Sequence, residues 1–180
     1  IERSFPRQNG DNANSKVKQI AYSINLNTKF NAHCSRLNIF NYQKIKGVEP
    51  VAVLSDLSTE EHLAVYYFRI TFEAPSVLMD IHRQLCTYLG EEVADKTIGA
   101  LKNLSSKLQQ NGKRKLSRHQ LTCNCVGVDE NCFSQLVTRA TLDDKRDAML
   151  IAVLLSDSYI AAELVYMAED LGKGIRAVKD

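Results

Sequence analysis

DDKRDAMLIAVLLSDSYIAAELVYMAEDLG, residues 143–172, is the stretch whose reading decides the fold class. Asp143 or Asp144 can open a helix running through Met149, Ala152 and Val153, because a side-chain carboxylate accepts the free N–H groups of a first turn. Ala148 to Leu155 is apolar on every side, which predicts that this helix lies at the centre of the core. Asp157 or Ser158 then caps a second helix. Its inner face is Ile160, Leu164, Met167, Ala168 and Leu171, at helical spacing, and Gly172 is expected to stop it.

The same logic extends toward the N-terminus. Asp129 can cap a short helix holding Phe133, Leu136 and Val137. Ala94, Ile98, Leu101, Ser105 and Leu108 form another apolar face, ended by Asn111-Gly112. Leu78, Ile81, Leu85 and Leu89 share a face that begins after Pro75-Ser76 and ends at Gly90. Ser58-Thr59-Glu60-Glu61 has the form of a capping box, with Ser58 as N-cap and Glu61 three residues on. It favours a helix through Leu63, Tyr66, Tyr67 and Ile70, although Val65 to Phe72 is aromatic and β-branched enough to suit a buried strand.

Upstream the signals mix. Ile20, Tyr22, Ile24 and Leu26 alternate as in a strand, while Val17, Ile20, Ala21 and Ile24 fit a helical face. Gly47-Val48-Glu49-Pro50 reads as a turn before the apolar run Val51 to Leu54, leaving room for a small N-terminal β-hairpin. Residues 1–16 are polar, carry Pro6 and Gly10, and show no periodicity, as expected of a disordered arm. The expected architecture is mainly α: a compact multi-helix bundle over residues 17–180 preceded by a flexible arm at 1–16.

Composition bounds the function. Hydrophobic residues at 44% and charged residues at 24% permit a real core. Five cysteines, an odd number without framework spacing, suggest reduced thiols and a cytoplasmic setting. The longest apolar run is eight residues, whereas a membrane span needs about 20. No signal peptide opens the chain, so no membrane role is expected.

The net charge of +2 hides segregation. Residues 1–46 carry eight basic side chains against two acidic ones, and residues 47–97 carry three against nine. Residues 98–119 hold six cations, Lys102, Lys107, Lys113, Arg114, Lys115 and Arg118, and no carboxylate. A helix dipole favours cations near a helix C-terminus by roughly 0.3–1 kcal/mol, yet six exceed what capping requires. Unpaired cations repel one another until an anion joins them, and the phosphate backbone is the commonest cellular polyanion. Arg3, Arg7, Lys16 and Lys18 would supply a second contact from the arm. The amides of Gln8, Asn9, Gln109 and Gln110 can donate to phosphate oxygens. Tyr22, Phe30, Phe40 and Tyr42 interleave with Lys29 and Arg36, a pattern that suits base stacking but more often serves a core.

These features lead to the expectation of a non-catalytic, self-associating nucleic-acid-binding protein. RNA is the favoured ligand, and the type is packaging or sequestering, organised like a nucleocapsid, a coat protein or an RNA-binding suppressor. That analogy is one of organisation alone. A helical protein-interaction module docking an acidic partner is the first alternative. A small structural zinc protein is the second, resting on His119, Cys123, Cys125 and Cys132, whose one-residue gap between Cys123 and Cys125 departs from the usual ligand pairs. His82 and Cys86 share a helix face without any local signature of a nucleophile pair. Paired acids such as Glu60-Glu61 and Glu91-Glu92 fall at helix starts, where the dipole explains them. No glycine loop for phosphates, no Ser-centred elbow and no metalloprotease motif is present. Neither a cofactor nor an enzymatic activity is expected.

Overall fold

The computed structural model describes residues 50–73 and 75–179. The expected arm at 1–16, its cations Arg3, Arg7, Lys16 and Lys18, and the mixed strand or helix signals of residues 17–49 lie outside the described residues. Among those described, six α-helices and one two-stranded antiparallel sheet form the fold: β1 (Pro50–Val53), α1 (Thr59–Ile70), α2 (Pro75–Leu89), α3 (Glu91–Asn111), β2 (Cys125–Gly127), α4 (Val128–Thr141), α5 (Lys145–Leu155) and α6 (Ala161–Lys179).

The predicted boundaries rest on local chemistry, and most hold. Ser58 caps α1 with a full capping box: its hydroxyl accepts from the Glu61 N–H at 3.3 Å, and the Glu61 carboxylate accepts from the Ser58 N–H at 2.8 Å. That start resolves the strand-or-helix ambiguity of Val65 to Phe72 as helix. Pro75 occupies the first turn of α2, where its missing N–H is not needed. Gly90, at φ 84°, makes the one-residue turn from α2 to α3, a conformation that favours glycine. Asp144 caps α5 by accepting from the Asp147 N–H at 3.4 Å, while Asp143 takes the left-handed φ of 64° that closes α4.

Three expectations are corrected. First, α5 is not the central helix. Its buried residues are Ala148, Ala152 and Leu155, while Leu150 is 61% and Leu154 69% exposed. Apolarity all round permits a central position but does not supply neighbours on every side. Second, Gly172 does not stop the last helix. α6 runs on to Lys179 and packs against each of the other five helices. Gly172 and Gly174 lie inside it at close crossings, where an added Cβ would fall on the side chains of Thr141 and Thr97 respectively. Small residues let neighbouring helices approach from several sides, and that places α6, not α5, at the centre. Third, Asp129 is not the cap of α4. Gly127 holds that position, and Asp129 turns back to the preceding loop.

Val51 and its neighbours do form a strand, but β1 pairs with β2, with Ala52 opposite Val126 and Val53 opposite Cys125. Among the described residues the sheet therefore joins segments distant in sequence; the upstream half of the expected hairpin lies outside the described residues. Leu164, Ala168, Leu171 and Ile175 of α6 meet Leu101 and Leu104 of α3 and Leu136 of α4 in a core where each is at most 1% exposed. Phe68 of α1 stacks near Phe133 of α4, with ring centroids 4.8 Å apart.

Candidate nucleic-acid interface

The six cations of residues 98–119 occupy the C-terminal half of α3 and the start of the loop that leads to β2. The loop is fixed chiefly by the first turn of α4. Arg69, 1% exposed on α1, donates from Nε to Glu130 Oε1 at 2.7 Å and from Nη2 to Glu130 Oε2 at 3.1 Å. Its remaining donors reach the loop carbonyls of Gln120 (3.2 Å), Cys123 (2.6 Å) and Cys125 (2.6 Å). Glu130, fully buried, also accepts from the His119 N–H at 2.7 Å and the Gly127 N–H at 2.8 Å. Burial alone would raise the Glu130 pKa. The hydrogen bonds from Arg69 and Gly127, the Arg69 charge and the His119 N–H outweigh it and hold the carboxyl below its ordinary value.

Asp129 does the same work one residue earlier. It receives a bidentate pair from Arg114 and the Ser117 N–H at 2.7 Å. Adjacent carboxylates thus hold two arginines and the loop backbone between them. Sequence reading missed this role for Arg69, Asp129 and Glu130, because all their partners but Gly127 are 11 to 61 residues away.

The basic segment is accordingly divided. Arg114 is bound to Asp129 but stays 43% exposed. Arg118 pairs with Glu73 at 3.3 Å and lies over the Phe72 ring, 5.2 Å from its centroid. Lys107 pairs with Glu163 at 2.9 Å. Lys113 donates to the Val153 carbonyl at 2.5 Å, one of the last carbonyls of α5 that lack a helical partner. Lys115 and Lys102 are exposed, and among the described residues neither ammonium group has a carboxylate within ion-pair distance.

Backbone pairing sets what lies beside these cations. Gly112 bridges Ser156, the Lys113 N–H donates to the Leu155 carbonyl at 3.2 Å, and the Asp157 N–H donates to the Asn111 carbonyl at 3.2 Å. The end of α3 is thereby fastened to the α5–α6 junction, which carries exposed Leu154 and Tyr159.

The remaining candidates resolve differently. No three His, Cys, Asp or Glu side chains converge to hold a metal ion among the described residues. The His119 ring contacts the Cys125 carbonyl at 3.0 Å, and burial, with the nearby Asp129 charge, pushes the Cys132 thiol up. A zinc site at His119, Cys123, Cys125 and Cys132 therefore has no geometric support. His82 binds Asp95 at 2.6 Å and lies 3.7 and 3.9 Å from the Cys86 sulfur through its two ring nitrogens. A thiol nearly equidistant from both nitrogens is not directed at either. A pocket of about 210 Å³ lined by Ser58, Glu60, Thr138, Thr141 and Arg176 includes none of the six cations. Among the described residues no helix is long and apolar enough to cross a membrane.

No protein-family model, curated protein or solved structure matches the chain.

Proposed function

We propose that this chain is a non-catalytic nucleic-acid-binding protein that contacts the phosphate backbone, RNA above all, and acts by packaging or sequestering through self-association. The observation that carries the reading is the acid-free run of residues 98–119. Three of its cations are spent on carboxylates contributed from elsewhere, yet Lys102 and Lys115 remain at the surface and Arg114 stays partly exposed. Arg118 and the inner side of Arg114 are better read as anchors of the loop. Lys107 is held by a surface pair, worth about 0–1 kcal/mol, and can exchange Glu163 for a phosphate.

The test is binding across a salt series. Lys102, Lys107 and Lys115 replaced together by Ala should weaken binding to all sequences alike and flatten the logarithmic salt slope by roughly 0.7–0.9 per phosphate contact removed. An unchanged slope refutes the patch. A purified protein whose 260 nm absorbance does not respond to nuclease, and which binds no oligonucleotide, refutes the function.

Leu150 and Leu154, exposed on one side of α5, favour a second reading, a helical protein-interaction module. The same exposed face serves self-association in the first reading. Light scattering on nuclease-treated protein separates them: a monomer at every concentration removes self-association and leaves a foreign protein as the partner.

A further inference from the structure

Tyr159 is 76% exposed, yet its hydroxyl donates to Asn111 Oδ1 at 2.9 Å. An exposed side chain ordinarily keeps its rotamer freedom, and fixing it costs entropy. Here the ring is pinned at its tip, and at its base by the short 3-10 turn Ser158–Ile160. One helical turn away, Lys107 bonds Glu163, four residues on from Tyr159, so that Asn111–Tyr159 and Lys107–Glu163 form two successive rungs between α3 and the start of α6. Asn111 in turn donates from Nδ2 to the Lys107 carbonyl at 3.2 Å, which fixes the amide that holds the ring. On the other side Lys113 is tied to Leu155. The result is an exposed aromatic ring tied at its hydroxyl, on the rung next to Lys107, with the Lys113 ammonium held on the Val153 carbonyl. Asp157 and Glu163 border it, and Glu163 is already neutralised by Lys107.

We infer that Tyr159 is a stacking platform for an unpaired nucleobase, and that this surface therefore takes single strands in preference to duplex. The inference rests on the phosphate-binding reading above and names its ligand class. Stacking on an aromatic face is tolerant of base identity, because every base has a π face, and it is denied to a base already stacked inside a duplex. Lys107, on the neighbouring rung, can exchange Glu163 for a phosphate flanking such a base, and pre-fixing the ring removes part of the ordering cost of binding.

The experiment compares the wild-type protein with Tyr159→Ala and Tyr159→Phe. Each is titrated against a 12-nucleotide single strand, the same strand made abasic, and a duplex of that sequence, in ribo and deoxyribo form. Tyr159→Ala should weaken binding of the intact single strand by about five- to a hundred-fold and leave the abasic strand and the duplex unchanged. Tyr159→Phe keeps the ring and should stay within a few-fold of wild type. A loss confined to the ribo form identifies RNA as the occupant, and a loss in both identifies any unpaired strand. If the wild type binds the strand and Tyr159→Ala binds it equally well, the stacking inference fails while the phosphate interface stands. If the wild type binds neither the intact nor the abasic strand, both fail together.

Discussion

Replacing Arg69 by Met is the sharpest test of how the fold holds its basic loop. Met matches the aliphatic stem of Arg69 as far as Nε, so the packing of the stem is kept, but the rest of the guanidinium and every polar contact are lost. Arg69 spends its donors on both oxygens of Glu130 and on the carbonyls of Gln120, Cys123 and Cys125. Arg69→Met leaves a fully buried carboxylate with the His119 and Gly127 N–H groups and, at 3.5 Å, the His119 ring nitrogen, and strips three carbonyls of this donor. Removing one partner of a buried ion pair costs about 3–5 kcal/mol. For a chain of this size that corresponds to a fall in Tm of roughly 6–20 °C. Urea unfolding followed by circular dichroism at 222 nm reads the loss, and hydrogen exchange should show residues 117–127 opening before the helices. A loss below about 1 kcal/mol, the value of a surface pair, or unchanged exchange in the loop would refute the claim that Arg69 and Glu130 hold it.

Two further outcomes follow from the same structure. Gly99, with nothing within 4 Å of an added Cβ, should accept Ala with a gain of up to about 1 kcal/mol from helix propensity; Gly174→Ala should instead lose about 1–2 kcal/mol, because overpacking against buried Thr97 exceeds that gain, and equal urea midpoints for the two variants would refute the close-crossing argument. The Glu130 carboxyl is held below its ordinary value of 4.5, so its contribution is complete above that pH and is lost as pH falls through the lowered value. Stability measured from pH 7 down to 3 should therefore drop on the acid side, and Glu130→Gln should be weaker at neutral pH with a shallower acid limb; parallel profiles for the two proteins would contradict it.

Much of the helical framework was legible locally. The capping box at Ser58, the break at Gly90 and the faces of α2 and α3 follow from contacts between residues three or four apart, which sequence spacing displays directly. The basic run was legible in the same way, since it needs only a count of charges along the chain. Its division into anchors and surface cations was not. Arg114 and Arg118 read as equivalent to Lys102 and Lys115 until Asp129 and Glu73 are placed beside them. Tyr159 gave no signal either, because Asn111 lies 48 residues before it.

By itself, then, the sequence determined the helical segments after Pro75, where several of them start, and that one zone lacks carboxylates. Tertiary structure decided which helix is central, which carboxylates leave their own segment to hold the loop, and which strand β1 pairs with. The reason is physical. Capping and periodicity act over one or two turns, whereas centrality, ion pairing and ring exposure depend on how closely helices cross. Those distances are set by small residues such as Gly172 and Gly174, whose effect is invisible until Thr141 and Thr97 are packed against them.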